Sequence, residues 1–176
     1  MNFRAVELLL SHPSIKVNLQ SASGYTPLHL AARQGNLDIV KLLLSHPSID
    51  VNLQCPSGYT PLLQSLSAYT PLPQSPGCTP LQLATQQGNL DIVKLLLSHP
   101  SIDVNLPDMG GIVPFLSAVN FGSPELVRLF LQDARTDRTW RCSKGRSALD
   151  YAKLNRNPEV LKLVKEFVRA PLGKNN

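Results

Sequence analysis

Nineteen residues of this chain occur twice without a change: Gly35–Leu53 and Gly88–Leu106 both read GNLDIVKLLLSHPSIDVNL. A third, drifted copy fills Asn2–Leu19. A glycine ahead of each unit sets the phase. Gly24 and Gly58 lie 34 residues apart, as do Gly77 and Gly111, and Gly111 and Gly145. A fixed period of about 20–50 residues means like units, each too small to bury its own apolar face, stacked on one another. A simple helical bundle gives no reason for such a period.

Each unit divides into the same parts. Thr26 is placed to cap a helix, and Pro27 suits its first position, where no amide hydrogen is needed. Gly35 ends that helix. Asn36 then caps a second helix carrying Leu37, Ile39, Val40, Leu42, Leu43 and Leu44, apolar on most sides, as a helix covered by neighbours should be. His46-Pro47 stops it, and Ile49–Leu53 alternates as an extended arm. The pattern predicts a half repeat with one helix near 2–11, then four helix pairs beginning near residues 26, 79, 113 and 147.

The run Gly24-Tyr25-Thr26-Pro27-Leu28-His29-Leu30-Ala31-Ala32, then Gly35-Asn36, Val40 with Leu43-Leu44, and Asp50-Val51-Asn52 resembles the ankyrin repeat family. The resemblance implies an all-α ankyrin-repeat solenoid of stacked helix-turn-helix units with hairpin-like turn tips. It implies one domain over 1–170, with a half repeat at 1–20, repeats from about 21, 75, 109 and 143, and a tail at 171–176. The chain also departs from the family. Only His29 keeps the signature histidine; Gln82, Leu116 and Asp150 stand at the equivalent positions, so threonine–histidine bonding is expected in one repeat at most. Between 54 and 76 the array is irregular, because Thr-Pro-Leu recurs at Thr60, Thr70 and Thr79 and only the last is followed by a second helix. Phase predicts that this insertion loops out at a turn tip while its flanking pairs stack directly; a short helix at 60–66 is the rival. The fifth unit places Lys165 and Glu166 where Leu44 and Ser45 stand, the polar substitution an end helix needs.

Chemistry is sparse. No phosphate-binding glycine loop, nucleophile elbow or HExxH stands in the 176 residues. Cys55, Cys78 and Cys142 form neither a disulfide scaffold nor a CxxC pair, and Cys142 reads as an inert thiol. His12, His46 and His99 take one position in successive copies, too far apart across helices about 8–10 Å distant to share a metal ion. Each reads as a last-turn residue suiting the helix dipole. No catalytic, cofactor or metal site is expected. The only early apolar run, Ala5–Leu10, is interrupted by Glu7 and too short to span a membrane, so an intracellular, cytoplasmic or nuclear protein is expected.

The family implies instead a non-catalytic protein-interaction module or adaptor that binds a protein partner on its concave face. Carried over residue by residue, the contact positions of the family fall on Tyr25, Arg33, Gln34, Gln86, Asn120, Phe121, Lys144 and Arg146. Charge refines this. Residues 1–132 hold 6 Lys+Arg and 7 Asp+Glu, whereas residues 133–176 hold 11 and 5. Arg135, Arg138, Arg141, Lys144 and Arg146 crowd before the last tip, which predicts an acidic partner segment. The alternative is electrostatic binding of nucleic acid or an anionic surface; against nucleic acid, Trp140, Tyr151 and Phe167 are too scattered for a base-stacking platform. At the other end, Val6, Leu8, Leu9 and Leu10 have no preceding repeat to cover them, so fraying or self-association through the half repeat is expected.

Overall fold

The computed structural model describes residues 3–55, 76–155 and 157–169. Over these the chain is all-helical: α1 (Phe3–Leu10), α2 (Pro27–Gln34), α3 (Leu37–Leu44), α4 (Pro80–Gln86), α5 (Leu90–Leu97), α6 (Pro114–Phe121), α7 (Pro124–Gln132), α8 (Ala148–Leu154) and α9 (Pro158–Arg169). The inner helices α2, α4, α6 and α8 pack one on the next, and so do the outer helices α1, α3, α5, α7 and α9. Each inner helix also packs on the outer helix that follows it. This two-layer stack is the predicted ankyrin-type solenoid.

Starting residues follow from the sequence. Thr26, Thr79 and Ser147 accept a backbone N–H at the helix entries, while Val113 caps α6 without a side-chain bond. One apolar core runs from Val17 through Leu28, Ile39, Leu43, Leu81, Ile92, Phe115 and Phe130 to Val164. Ala31, Ala32, Ala84, Ala118 and Ala152 are fully buried, and their small side chains let the helices approach closely. In α1 no residue is fully buried. Val6 and Leu10 rest on the core, but Leu8 is 73% and Leu9 59% exposed.

Two bonding patterns fix the stack. The first is an asparagine ladder. Asn18 Nδ2 donates to the Ser48 carbonyl (2.7 Å), and its Oδ1 accepts the Asp50 N–H (2.9 Å). Asn52 does the same to Ser101 and Asp103 (2.7 and 2.9 Å), and Asn105 to Arg135 and Asp137 (2.8 and 2.8 Å). Asp50 and Asp103 in turn accept the N–H of the asparagine two residues on, both at 2.9 Å. Each bond contributes about 1 kcal/mol net, and an unmet buried partner would cost more.

The second pattern closes every turn tip. Ser21 N–H donates to Tyr25 O (3.0 Å) and Gly24 N–H to Ser21 O (2.7 Å). Asp108 pairs in this way with Ile112 and Gly111, and Cys142 with Arg146 and Gly145. This is a three-residue hairpin closed by a bulge whose first residue is left-handed, hence glycine, at φ of 71–76°. In the tip between α3 and α4 Cys55 N–H donates to Cys78 O (2.9 Å) and Gly77 N–H to Cys55 O (2.8 Å), the same closure around a longer stretch of chain. The proposed looping out of the insertion, and the rival helix at 60–66, concern residues 56–75, outside the described residues. The helices on either side, α2 with α4 and α3 with α5, pack directly.

Identical letters do not always make identical bonds. Asn36 caps α3 by accepting the Ile39 N–H (3.3 Å). Asn89, at the same place in the duplicated stretch, makes no cap bond and donates to the Ala32 carbonyl of the preceding inner helix (2.8 Å). Among the described residues no inner helix precedes α2, so Asn36 has no such carbonyl to reach.

Candidate functional site

Thr26 and His29 tie α2 to the next tip. Thr26 N–H donates to His29 Nδ1 (3.2 Å), and Nδ1 also meets Thr26 Oγ1 (2.7 Å). Nε2 faces the Cys78 carbonyl (3.0 Å) and must donate to it. The ring is therefore the neutral Nε2–H tautomer, and burial pushes its pKa down to about 4. As expected, His29 is the one histidine to bond a threonine in this way. The sequence reading missed that its substitutes keep parts of the role. Gln82 Nε2 donates to the Ile112 carbonyl (2.7 Å), the next tip on. Ser147 and Asp150 rebuild the local box, with Ser147 N–H donating to Asp150 Oδ2 (2.9 Å) and the Ser147 hydroxyl meeting it at 2.7 Å.

Among the predicted contact residues, the structure brings Tyr25 and Arg33 together: the guanidinium lies over the Tyr25 ring at 5.2 Å from its centre. The same ring meets His29 edge-on at 5.9 Å and packs on Cys55, Cys78 and Leu83. Tyr25 thus serves repeat packing and holds Arg33 by cation–π contact. Gln34 is exposed at the end of α2. Gln86 is half-buried, with Nε2 donating to Cys78 Sγ at 3.7 Å. Asn120 and Phe121 are exposed at the end of α6, Phe121 by 51%. The Asn120 carbonyl accepts Asn155 Nδ2 (2.9 Å), which ties α6 to the chain after α8.

The basic cluster divides in two. Arg135 forks onto Asp133 (3.0 and 2.6 Å) and donates to the Leu97 carbonyl (2.7 Å). Its hydrogen bond holds the Asp133 carboxyl below the usual range. Arg138 donates to the Leu131 carbonyl (2.7 Å) and lies over the Phe167 ring at 5.7 Å. Arg141 donates to the Gly145 carbonyl (2.9 Å) with Asp150 at 3.9 Å. These three are engaged in holding the C-terminal repeats together. Lys144 and Arg146 are exposed, and among the described residues their side chains have no hydrogen bond or ion pair. The sequence could not sort the five, because carbonyls such as that of Leu97 come near only through stacking.

Beneath this tip lies Cys142. Burial pushes its thiol up, but the Tyr151 hydroxyl at 3.5 Å and the amides of Lys144 and Arg146 outweigh that and hold it below its ordinary value. Burial, then the Cys142 sulfur, pushes the Tyr151 phenol up to about 12. The three repeated histidines need a correction. His12, His46 and His99 lie beyond their helices, and each Nδ1 accepts the N–H two residues on, from Ser14, Ser48 and Ser101 (3.3, 3.2 and 3.3 Å). They stand past the last helical turn and close the turns that follow as acceptors. Among the described residues no three His, Cys, Asp or Glu side chains come together to hold a metal ion, and no helix is long and apolar enough to cross a membrane.

Comparison with known proteins agrees with this geometry. A family model described as ankyrin repeats, in three copies, matches residues 1–108. Human Rabankyrin-5 is 30% identical over 140 residues, covering 80% of this chain and 10% of that protein. The bovine SMC5-SMC6 complex localization factor protein 1 is 37% identical over 92 residues, 52% of this chain and 7% of that protein. The chain therefore spans a tenth or less of the length of these curated relatives.

Proposed function

The chain belongs to the ankyrin repeat family, and from that premise we propose that it is a non-catalytic interaction module whose concave face binds an acidic protein segment. Ankyrin repeats are in general protein–protein interaction modules. The observation that carries the acidic preference is the pair Lys144 and Arg146. Arg135, Arg138 and Arg141 each bond to other groups of the chain, whereas these two sit on the last tip with no hydrogen bond or ion pair among the described residues. Arginine forks onto carboxylates, and a patch of one sign speeds encounter with the opposite one. Tyr25 with Arg33, and Phe121, supply the aromatic and guanidinium anchors that dominate interfaces.

The experiment captures a partner with the intact protein and then measures its affinity for the double variant Lys144→Glu, Arg146→Glu. Affinity is expected to fall about tenfold or more at low salt, and the loss to shrink at moderate salt. If the double variant and Arg33→Ala both bind as wild type does, the face is wrongly assigned. Nucleic acid is the weaker reading. Trp140 Nε1 is committed to the Gly111 carbonyl (2.9 Å), Tyr151 is buried, and Phe167 lies under Arg138, so these rings are not free to stack on bases.

Self-contact through α1 is part of the same proposal. Leu8 and Leu9 are its most exposed large apolar residues, and Phe3 is partly exposed as well. Sedimentation should show association that weakens on replacing Leu8 and Leu9 by lysine; wild type that stays monomeric at high concentration would overturn it.

A further inference from the structure

We propose that Cys55 and Cys78 form a redox-sensitive dithiol site at the base of the tip they close, joined into a disulfide by hydrogen peroxide.

The geometry comes from the tip closure. Ser21 with Tyr25, Asp108 with Ile112, and Cys142 with Arg146 are the hydrogen-bonded partners that flank the other tips; among the described tips only that of Cys55 and Cys78 has a thiol on both sides. Cys55 N–H donates to Cys78 O across the bulge, with Gly77 making the return bond; residues facing each other across paired strands have Cα atoms about 4.5–5.5 Å apart, inside the roughly 4.4–6.8 Å that a disulfide spans. Both side chains turn the same way, into one small cluster with Leu83, where Cys55 is 3% exposed and Cys78 is not exposed at all. Neither cysteine is in a disulfide, and the two side chains share a hydrogen bond.

That bond makes them unequal. Cys78 acts as donor, and that hydrogen bond lowers the Cys55 thiol below its ordinary value. Cys78 itself is pushed up, by the same bond first and by burial second, with the Asp108 carboxylate adding to it. Of the two, Cys55 is thus the better nucleophile and Cys78 the resolving thiol. The Cys55 thiolate attacks one peroxide oxygen, the O–O bond breaks, and a sulfenic acid forms as hydroxide leaves. The Cys78 sulfur then attacks the Cys55 sulfur, the S–O bond breaks, and the proton of Cys78 leaves with that oxygen as water. Two thiols lose two electrons and two protons, and one peroxide becomes two waters. A reducing thiol pool reverses the bond by exchange.

Closure would take Cys78 Sγ away from Gln86 and alter the cluster on which Tyr25 packs. A redox change at the tip would therefore reach two residues of the candidate face. The chemical step itself does not depend on that reading.

The full chain is treated with hydrogen peroxide, alkylated, digested and mapped. A mass about 2 Da lower, a peptide joining Cys55 to Cys78, an alkylated Cys142 and reversal by dithiothreitol are expected. Closing this loop should also raise the unfolding midpoint by roughly 5–10 °C. In Cys78→Ser the same treatment should leave a Cys55 sulfenic acid, trapped by dimedone, with no loss of 2 Da. The proposal is overturned if Cys55 and Cys78 both remain alkylatable after millimolar peroxide, or if the bond formed joins Cys142 instead. The wild-type map decides this even where the serine variant fails to fold.

Discussion

Gly111→Ala is expected to destabilise the stack by about 2–5 kcal/mol, read as a fall in the urea midpoint. A residue with a Cβ pays about 1–2 kcal/mol for the left-handed region, and Gly111 sits there at φ of 71°. The rest is contact. A Cβ on Gly111 would stand 2.6 Å from the backbone N and from the Oγ of Ser143. Backbone cannot swing aside, and the Ser143 N–H already holds the Gly110 carbonyl at 3.1 Å. Forced overpacking of this kind adds roughly 1–3 kcal/mol. Gly145→Ala separates the two effects. Its φ is 72° and nothing lies within 4 Å of its Cβ position, so only the conformational cost should appear. Equal losses in the two variants would refute the contact between successive tips.

Acid should loosen the stack through His29. Its folded pKa of about 4 lies below the ordinary value of 6.5. Between those values the unfolded chain binds the proton and the folded chain does not. The histidine's contribution is therefore complete above pH 6.5 and lost as pH falls toward 4. At about 1.4 kcal/mol per pH unit the loss is about 3 kcal/mol. The physical cause is visible: a proton on Nδ1 would face the Thr26 N–H that now donates to it. His29→Gln tests this with the chain's own substitute, since Gln82 already makes the corresponding bond to the next tip. The variant should lose less stability than wild type between pH 7.5 and 4.5. Equal losses would show that the buried ring does not set the response.

How much of this was legible depends on how local the physics is. Thr26, Pro27, Gly35 and Asn36 act within their own helix ends, and there the sequence reading and the structure agree. Cysteines 55 and 78, by contrast, are separated by an irregular stretch and meet only because the tip closes around it. Asn89 repeats the letters of Asn36 but bonds to a different repeat. Arg135 reads as one of five equivalent cations until stacking brings the Leu97 carbonyl to it. The same limit applies to the candidate face. Family positions named Tyr25 and Arg33, but not that one would hold the other.

The asparagine ladder reaches forward 30 residues from Asn18, 49 from Asn52 and 30 again from Asn105. Its rungs are the same although the chain between them differs in length. The fold in effect counts rungs and not residues. Material added at a tip is invisible to the register, because indexing is done on the arms by an amide that reads only two backbone atoms. Variation and order are thereby assigned to different bonds. A lineage can try new loops at the tips without renegotiating how one unit sits on the next.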